Sequence, residues 1–395
     1  MHMNIKARDK KFLGRGFSPE DLHMTGSKDS YVIDARGKQH TDFLMGWCVG
    51  NIGWGNKEVR KRIAKFTGPE YVNPGFYYEP WVELSELLAK ITPGKLTKSF
   101  RATGGTEAVE IALQAAMAHT KRHKFVSIEG GYHGHSLAAL SIGASEYGAW
   151  YKKFLPPSHK LKFPLDDRAA DDLEQVLRTK EVAALIMEPI VCNVGVGIPT
   201  KEFMRRAQVL CKKYGTLFIA DEVACGFGRT GKLFASEHYG LKPDILCLAK
   251  GLTGGYGALG ATIMTDEVAK SMAFEFSFYS TFGWQPLAVE ATLANLGYLT
   301  KHWGKIESNV KQMEKYFRDR LSAMPFKSPA IIRIKGLAIG IEFEKAGYAV
   351  ELSDKARKKG LPFAPFTDRI IVFFPALNIS KKVAKQGLDI LESVI

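Results

Sequence analysis

Short apolar runs without polar alternation recur through the middle of the chain. They lie at 125–128, 183–187, 217–220 and 245–249. Strands that are buried on both faces show this pattern, so the runs predict strands covered by helices on each side. Helical patterns separate them, as at 106–119 and 201–214. This order of strands and helices predicts an α/β fold with a mainly parallel central sheet.

The two ends of the chain follow other patterns. Residues 31–43 alternate around an Arg-Gly-Lys turn, which predicts a β-hairpin. Beyond about residue 290 two long amphipathic helical stretches precede a strand predicted over 331–344, and a further helix, a short strand and a helix over 381–391 follow. This end of the chain is typical of a smaller α+β domain.

A lone hairpin cannot bury its own apolar face, so we expect it to pack on the C-terminal part. We therefore predict an N-terminal segment over 1–55, a large ligand-binding domain over 56–290 and a small domain over 291–395.

Composition narrows the class of protein. With 46% hydrophobic and 24% charged residues, the 395-residue chain has the usual globular mixture, which argues against disorder. The uncharged stretches are shorter than the roughly 18 apolar residues of a membrane helix, and no signal peptide is readable. The five cysteines never form Cys-x-x-Cys, so we predict buried thiols in a cytoplasmic protein, without disulfides or structural zinc.

Two glycine-rich motifs match nucleotide sites only in part. The run 226–232 has P-loop spacing through its lysine, but Leu233 stands where Mg²⁺ binding needs Ser or Thr. The run 255–260 matches Gly-x-Gly-x-x-Gly, but an apolar strand pattern follows it where a dinucleotide site needs a helix. Neither motif predicts a nucleotide site.

A third glycine motif suits a phosphate group. A short strand pattern leads through Gly104 and Gly105 into a helix that begins near Thr106. Free amide groups and the positive end of the helix dipole would hold a phosphate there. A plain turn capped by Thr106 explains the same residues equally well, so this motif alone leaves both readings open.

An acid and a lysine follow two successive buried strands. Asp221 directly follows the run 217–220, and Lys250 directly follows the run 245–249. Ligands bind at the carboxyl ends of the strands in open α/β sheets, so both side chains are predicted at one site. A desolvated lysine amine can form a Schiff base with a carbonyl group. Alone, the lysine would be taken as a surface charge and the aspartate as a turn residue.

Five motifs in consistent order resemble the class III (ω-type) pyridoxal-phosphate-dependent aminotransferases. They are Gly104-Gly105-Thr106-Glu107-Ala108, Gly131-Tyr132-His133-Gly134, Asp221-Glu222-Val223, Gly226-Phe-Gly-Arg-Thr-Gly231 and Lys250-Gly251. The resemblance spans residues 31 to about 378. It implies a fold-type I transferase that moves an amino group between a primary amine or ω-amino compound and a carbonyl acceptor by a ping-pong reaction.

The resemblance also implies residue roles. Lys250 would be the Schiff-base lysine and proton carrier, and Asp221 would pair with the nitrogen of the cofactor ring. Other cofactor contacts implied are Gly104, Gly105, Thr106, Tyr132, His133, Glu188, Val223 and Thr281. Thr281 matches a threonine that reaches the phosphate of the neighbouring subunit, which implies a homodimer with shared active sites. His133 and His135 lack a third ligand, so we predict no metal site.

Departures from the family pattern bear on the substrate. Asn193 stands where many members that act on amino-acid substrates have Glu, and Val372 stands where an arginine often binds a substrate carboxylate. Arg333 and Arg369 are the candidates to replace that arginine. Trp284 replaces a common glycine. Together with Trp47 and Asn193 it is predicted to contact substrate, and these aromatic residues favour an apolar pocket, although ordinary core packing explains them equally well.

Two other functions remain as alternatives. Asn193 is shared with the glutamate-1-semialdehyde aminomutases, which transfer an amino group within one molecule. The net charge of +14 would suit a nucleic-acid-binding protein. However, the basic runs are short, dispersed and mostly helical, without interleaved aromatic residues, so we predict neither nucleic-acid nor membrane binding.

Overall fold

A computed structural model describes residues 4–16, 19–274 and 277–395 of the chain. Its strands form three sheets. The strands are β1 (Met24–Lys28), β2 (Tyr31–Asp34), β3 (Gln39–Thr41), β4 (Leu96–Ala102), β5 (Lys124–Ile128), β6 (Ser158–Leu161), β7 (Val182–Met187), β8 (Leu217–Asp221), β9 (Ile245–Leu248), β10 (Gly260–Thr265), β11 (Ala330–Lys335), β12 (Ala338–Phe343) and β13 (Ile370–Phe373).

Helices cover the sheets and connect most of the strands. They are α1 (Ile5–Phe12), α2 (Met45–Cys48), α3 (Lys57–Ala64), α4 (Glu79–Ile91), α5 (Gly105–Thr120), α6 (Leu137–Ile142), α7 (Asp167–Leu177), α8 (Lys201–Tyr214), α9 (Asp266–Lys270), α10 (Pro286–Lys301), α11 (Trp303–Ser322), α12 (Tyr348–Lys359) and α13 (Lys381–Glu392). None of the helices in the described ranges is long and apolar enough to cross a bilayer.

The central sheet has seven strands in the order β4-β10-β9-β8-β7-β5-β6. Neighbouring strands from β9 to β6 pair in parallel, and β10 is antiparallel to both β4 and β9. The four apolar runs form β5, β7, β8 and β9, and every residue of β7, β8 and β9 is buried. The prediction of a mainly parallel α/β sheet is confirmed. The carboxyl ends of six strands therefore meet at one edge.

Both terminal regions contain small antiparallel sheets. The predicted hairpin is confirmed, with Tyr31 opposite Thr41. The single strand predicted over 331–344 is wrong, because two strands pair there as a hairpin. Gly336 turns the chain between them at φ +58°, and a Cβ at this position would collide with the backbone of Thr230.

Two buried residues hold the ends of the chain together. The ring of Phe43 lies 5.4 Å from the rings of Phe317 and Phe373, so the N-terminal segment packs on C-terminal elements. Arg229 is fully buried. Its guanidinium donates to the carbonyl oxygens of Leu337 at 3.0 Å and Pro375 at 2.6 Å, and to Oδ1 of Asn51 at 2.7 Å. The division at residues 55 and 290 remains our prediction.

Candidate active site

The start of α5 forms an open cup for an anion. The backbone amide and hydroxyl of Thr103 donate to Glu107 Oε2 at 2.5 and 2.6 Å, and Gly104 accepts from the amide of Ala108 at 3.0 Å. No acceptor among the described residues takes the amide hydrogens of Gly105 and Thr106. Free amides at a helix start attract negative charge. We call Gly104, Gly105 and Thr106 the phosphate cup.

Two glycines let other chain segments approach the phosphate cup. Gly134 adopts φ +128°, and a Cβ there would lie 2.5 Å from Thr106 Oγ1. A Cβ on Gly105 would lie 3.0 Å from Val223 Cγ1. These contacts bring the loop after β5 and the loop after β8 against the start of α5.

Asp221 ends β8 and is held by two donors. Its Oδ2 lies 2.7 Å from His133 Nδ1, and its Oδ1 accepts from the amide of Val223 at 3.0 Å. Both Asp221 and His133 are buried. A proton on Nδ1 makes the imidazole a donor to the carboxylate, which fixes the aspartate orientation and leaves oxygen lone pairs for a further partner.

Lys250 and Glu188 line one small cavity of about 40 Å³. The cavity wall consists of Trp47, Cys48, Tyr132, Glu188, Cys192, Asn193, Ala224, Lys250, Phe366 and Phe374. Lys250 follows β9 with φ +46°, a conformation that is rare for a residue with a side chain and is often found at functional sites.

Glu188 is a buried carboxyl group with one free oxygen. Its Oε2 accepts from the amide of Cys192 at 3.1 Å, and its Oε1 has no partner among the described residues. Burial, with a smaller contribution from the charge of Asp221, raises the pKa of Glu188 to about 7. The oxygen without a partner indicates room for a polar ligand beside Lys250.

The three predicted substrate residues differ in their surroundings. Trp47 is partly exposed and lines the cavity with Asn193. The Asn193 amide donates to the carbonyl of Gly130 at 2.9 Å. Trp284 is fully enclosed in the core and is absent from the cavity wall, which favours core packing over the predicted substrate contact. Its indole N–H instead donates to the carbonyl of Gly260 at 2.7 Å.

Thr281 does not line the cavity. It lies exposed on the loop before α10, near the exposed side chains of Tyr279 and Phe282. Arg333 and Arg369, the candidates for a carboxylate contact, are also absent from the cavity wall. Arg333 pairs with Glu342, and Arg369 donates to the carbonyl of Glu344.

Several residues of the site carry no sequence signal that we used. The ring of Tyr147 meets that of Tyr132 edge to face at 5.8 Å, and its hydroxyl lies 3.4 Å from Asn193 Nδ2. Phe366 and Phe374 enter the cavity wall from the C-terminal region. Only the tertiary fold brings these distant segments together. Within the described ranges, no group of three or more His, Cys, Asp or Glu residues could hold a metal ion.

These residues fit pyridoxal phosphate. The phosphate cup offers amides without acceptors, Asp221 offers a fixed carboxylate, and Lys250 offers an amine beside the orphaned oxygen of Glu188. An anionic group, a ring nitrogen and an aldehyde are the partners that these three positions suit.

Comparisons with known proteins agree with this fit. The model of the "Aminotransferase class-III" family matches residues 15–395. An acetylornithine aminotransferase of Methanosarcina mazei is 32% identical over 98% of this chain and 94% of its own length. A putrescine aminotransferase of Pectobacterium atrosepticum is 34% identical over 92% of this chain and 81% of its own length.

A solved structure shows the same fold along the whole chain. The adenosylmethionine-8-amino-7-oxononanoate aminotransferase of Methanocaldococcus jannaschii superposes with a TM-score of 0.91 at 29% identity, covering 99% of this chain and 98% of its own. The family match and this superposition agree with the residues gathered at the sheet edge. The chain belongs to the class III aminotransferases, fold-type I enzymes that use pyridoxal phosphate to move an amino group from a small-molecule amine donor to a carbonyl acceptor.

Proposed function

We propose that Lys250 and Asp221 are the catalytic residues and that the phosphate cup anchors the cofactor. When bound, pyridoxal phosphate supplies the aldehyde that takes up the donor's amino group and a ring that accepts electrons from the broken C–H bond. Lys250 Nζ, in the cavity wall, would hold and move the proton of the donor carbon. Asp221 would bind the ring nitrogen of the cofactor and stabilise positive charge there.

The surrounding residues orient these groups. His133 holds Asp221 through Nδ1 at 2.7 Å, and Glu188 faces the same cavity as Lys250. Tyr132, in the cavity wall, and Val223 would hold the cofactor ring from its two faces. Val223 is supported in this role by its contact with Gly105 of the phosphate cup.

We further propose a donor whose far end carries no carboxylate, either a primary amine or a diamine. The observation that carries this is the cavity wall, whose charged residues are Glu188 and Lys250 and which, among the described residues, contains no arginine. Val372 is fully buried at the position of the usual arginine. Four aromatic rings form much of the remaining wall. Of the substrates named for the two relatives, putrescine lacks a carboxylate and acetylornithine carries one.

Three donors with carbon chains of equal length test this proposal. The holoenzyme is titrated with butylamine, putrescine and 4-aminobutyrate, and the change in cofactor absorbance is followed without any acceptor. We expect the two amines to convert the enzyme at lower concentration than the amino acid. A clear preference for 4-aminobutyrate would overturn the proposed donor class. Repeated turnover, beyond one donor molecule per site, in the absence of a carbonyl acceptor would instead indicate the aminomutase reaction.

We propose a homodimer in which Thr281 completes the partner's phosphate site. An exposed aromatic patch around Thr281 supports a subunit interface, because monomers rarely expose such groups together. The patch consists of Tyr71, Tyr279 and Phe282. The ring of Tyr71 meets that of Phe282 at 6.4 Å.

Mixing two damaged subunits tests the shared site. Lys250→Ala and Thr281→Ala chains are unfolded together, refolded and compared with each variant alone. If Thr281 acts across the interface, a mixed dimer contains one intact site with normal affinity for pyridoxal phosphate. If the mixture binds and turns over no better than the Thr281→Ala protein, the shared site is wrong. Sedimentation gives the oligomeric state independently.

We propose a cytoplasmic location. All five cysteines are buried and free, and burial raises the pKa of the Cys211 thiol above the usual range. Unpaired buried thiols are typical of proteins in a reducing compartment. Fractionation of the producing cells would test the location directly.

A further inference from the structure

Trp284 adopts an unusual backbone conformation in a fully enclosed position. Its φ is +61°, a region that glycine tolerates and that a bulky residue rarely enters. The side chain is among the largest fully buried ones in the described part of the chain. A strained conformation persists only where the surroundings enforce it, and such residues cluster at functional sites.

Three contacts hold this part of the loop before α10. Trp81 Nε1 donates to the carbonyl of Trp284 at 2.7 Å. The guanidinium of Arg101 stacks on the ring of Trp81 at 3.8 Å. A Cβ on Gly283 would lie 2.8 Å from the carbonyl oxygen of Arg101. The loop is therefore fixed on the end of β4, the strand that leads into the phosphate cup.

The indole of Trp284 connects this loop to the phosphate cup itself. Its Nε1 donates to the carbonyl of Gly260 at 2.7 Å. Gly260 pairs with Ala102, and a Cβ on Gly260 would collide with the backbone of Gly104. The hydrogen bond from Trp284 thus fixes the peptide that supports the cup from behind.

We propose that Trp284 is a positioning residue for the cofactor phosphate. Through Gly260 it holds Gly104 of its own subunit in place. Through the loop backbone it also positions Thr281 for the partner's site, and this second effect rests on the proposed shared site. The inference depends on the proposed role of the phosphate cup. It concerns the phosphate alone, because the hydrogen bonds of Trp284 join it to Gly260 and Trp81.

Binding of two cofactor forms to the apoenzyme tests this role. Equilibrium dialysis gives the Kd for pyridoxal phosphate and for pyridoxal, which lacks the phosphate. In Trp284→Phe, which keeps a large ring and loses the N–H, we expect the Kd for pyridoxal phosphate to rise about fivefold, as for one lost hydrogen bond. The Kd for pyridoxal should stay within about twofold, because the remaining contacts are intact. Trp81→Phe should give the same selective loss.

Two controls separate this inference from its premise. Trp303→Phe changes a tryptophan that packs on Gly228, outside the site, and should alter neither Kd. Thr106→Ala should raise the Kd for pyridoxal phosphate and leave the Kd for pyridoxal unchanged. If Thr106→Ala fails to discriminate, the phosphate cup itself is wrong. Suppose that Thr106→Ala weakens the binding of pyridoxal phosphate alone, while Trp284→Phe changes neither Kd or changes both equally. Trp284 is then only a core residue. Thermal unfolding of each apoenzyme reports any general loss of stability.

Discussion

Glu188 gives the apoenzyme a pH dependence whose sign and size follow from its surroundings. The carboxyl group is 3% exposed, and one oxygen has no hydrogen-bond partner among the described residues. Burial is the main cause that raises its pKa from 4.5 to about 7, and the charge of Asp221 adds to it. His133 and Lys250 oppose the rise.

The folded apoenzyme therefore binds this proton more tightly than the unfolded chain does. The resulting stability is fully present below pH 4.5 and is lost as the pH rises through about 7. A rise in pKa from 4.5 to about 7 corresponds to about 3 kcal/mol at full deprotonation. As the pH rises, the deprotonation of Glu188 alone should lower the free energy of unfolding by this amount.

Glu188→Gln isolates the contribution, because the amide stays neutral at every pH. Urea unfolding of both apoenzymes, followed by circular dichroism between about pH 4.5 and 8, should show the variant gaining about 3 kcal/mol relative to wild type as the pH rises. Glu181→Gln is the matched control, since exposed Glu181 pairs with Lys124 and its pKa is lowered. A constant difference between Glu188→Gln and wild type across this range would refute the reasoning.

Three further substitutions test the catalytic groups and the contact that Arg229 makes between the N-terminal and C-terminal segments. Asp221→Asn should still bind cofactor but lose about 10²–10⁴-fold in turnover, because a buried charge pair worth about 3–5 kcal/mol is broken; near-normal steady-state rates would refute the assignment. Lys250→Ala should bind pyridoxal phosphate without covalent attachment and show no turnover, so cofactor that stays with the variant after borohydride reduction and denaturation would contradict its role. Arg229→Met leaves three buried acceptors unpaired and should lower the free energy of unfolding by about 2–5 kcal/mol, which an unchanged urea midpoint would exclude.

Local pattern was sufficient for most elements of the fold. The runs that became β5, β7, β8 and β9 were identified because a strand buried on both faces requires continuous apolar residues. The prediction of a single strand over 331–344 is wrong because Gly336 reverses the chain there. The apolar pattern of the sequence is the same whether or not a turn interrupts it.

The candidate site was predictable where each residue follows a strand. Asp221 is the last residue of β8 and Lys250 lies just beyond β9, and parallel strands bring their carboxyl ends to one edge. The role of Glu188, which follows β7, is implied only by the family resemblance. For Trp284 the sequence leaves substrate contact and core packing open, because an aromatic residue near a site looks the same in sequence whether its ring faces a ligand or the core.

The sequence by itself determined the α/β class and the order of the motifs along the chain, and it predicted the lysine and aspartate that we propose as catalytic residues. Only the tertiary structure decided that Tyr147 packs on Tyr132 and that Phe374 lines the cavity. It also decided that Arg333 and Arg369 pair elsewhere, and that the Trp284 indole donates to Gly260 behind the phosphate cup. Periodicity and motif spacing describe neighbours along the chain. Which side chains meet across distant loops depends on packing that no local pattern encodes.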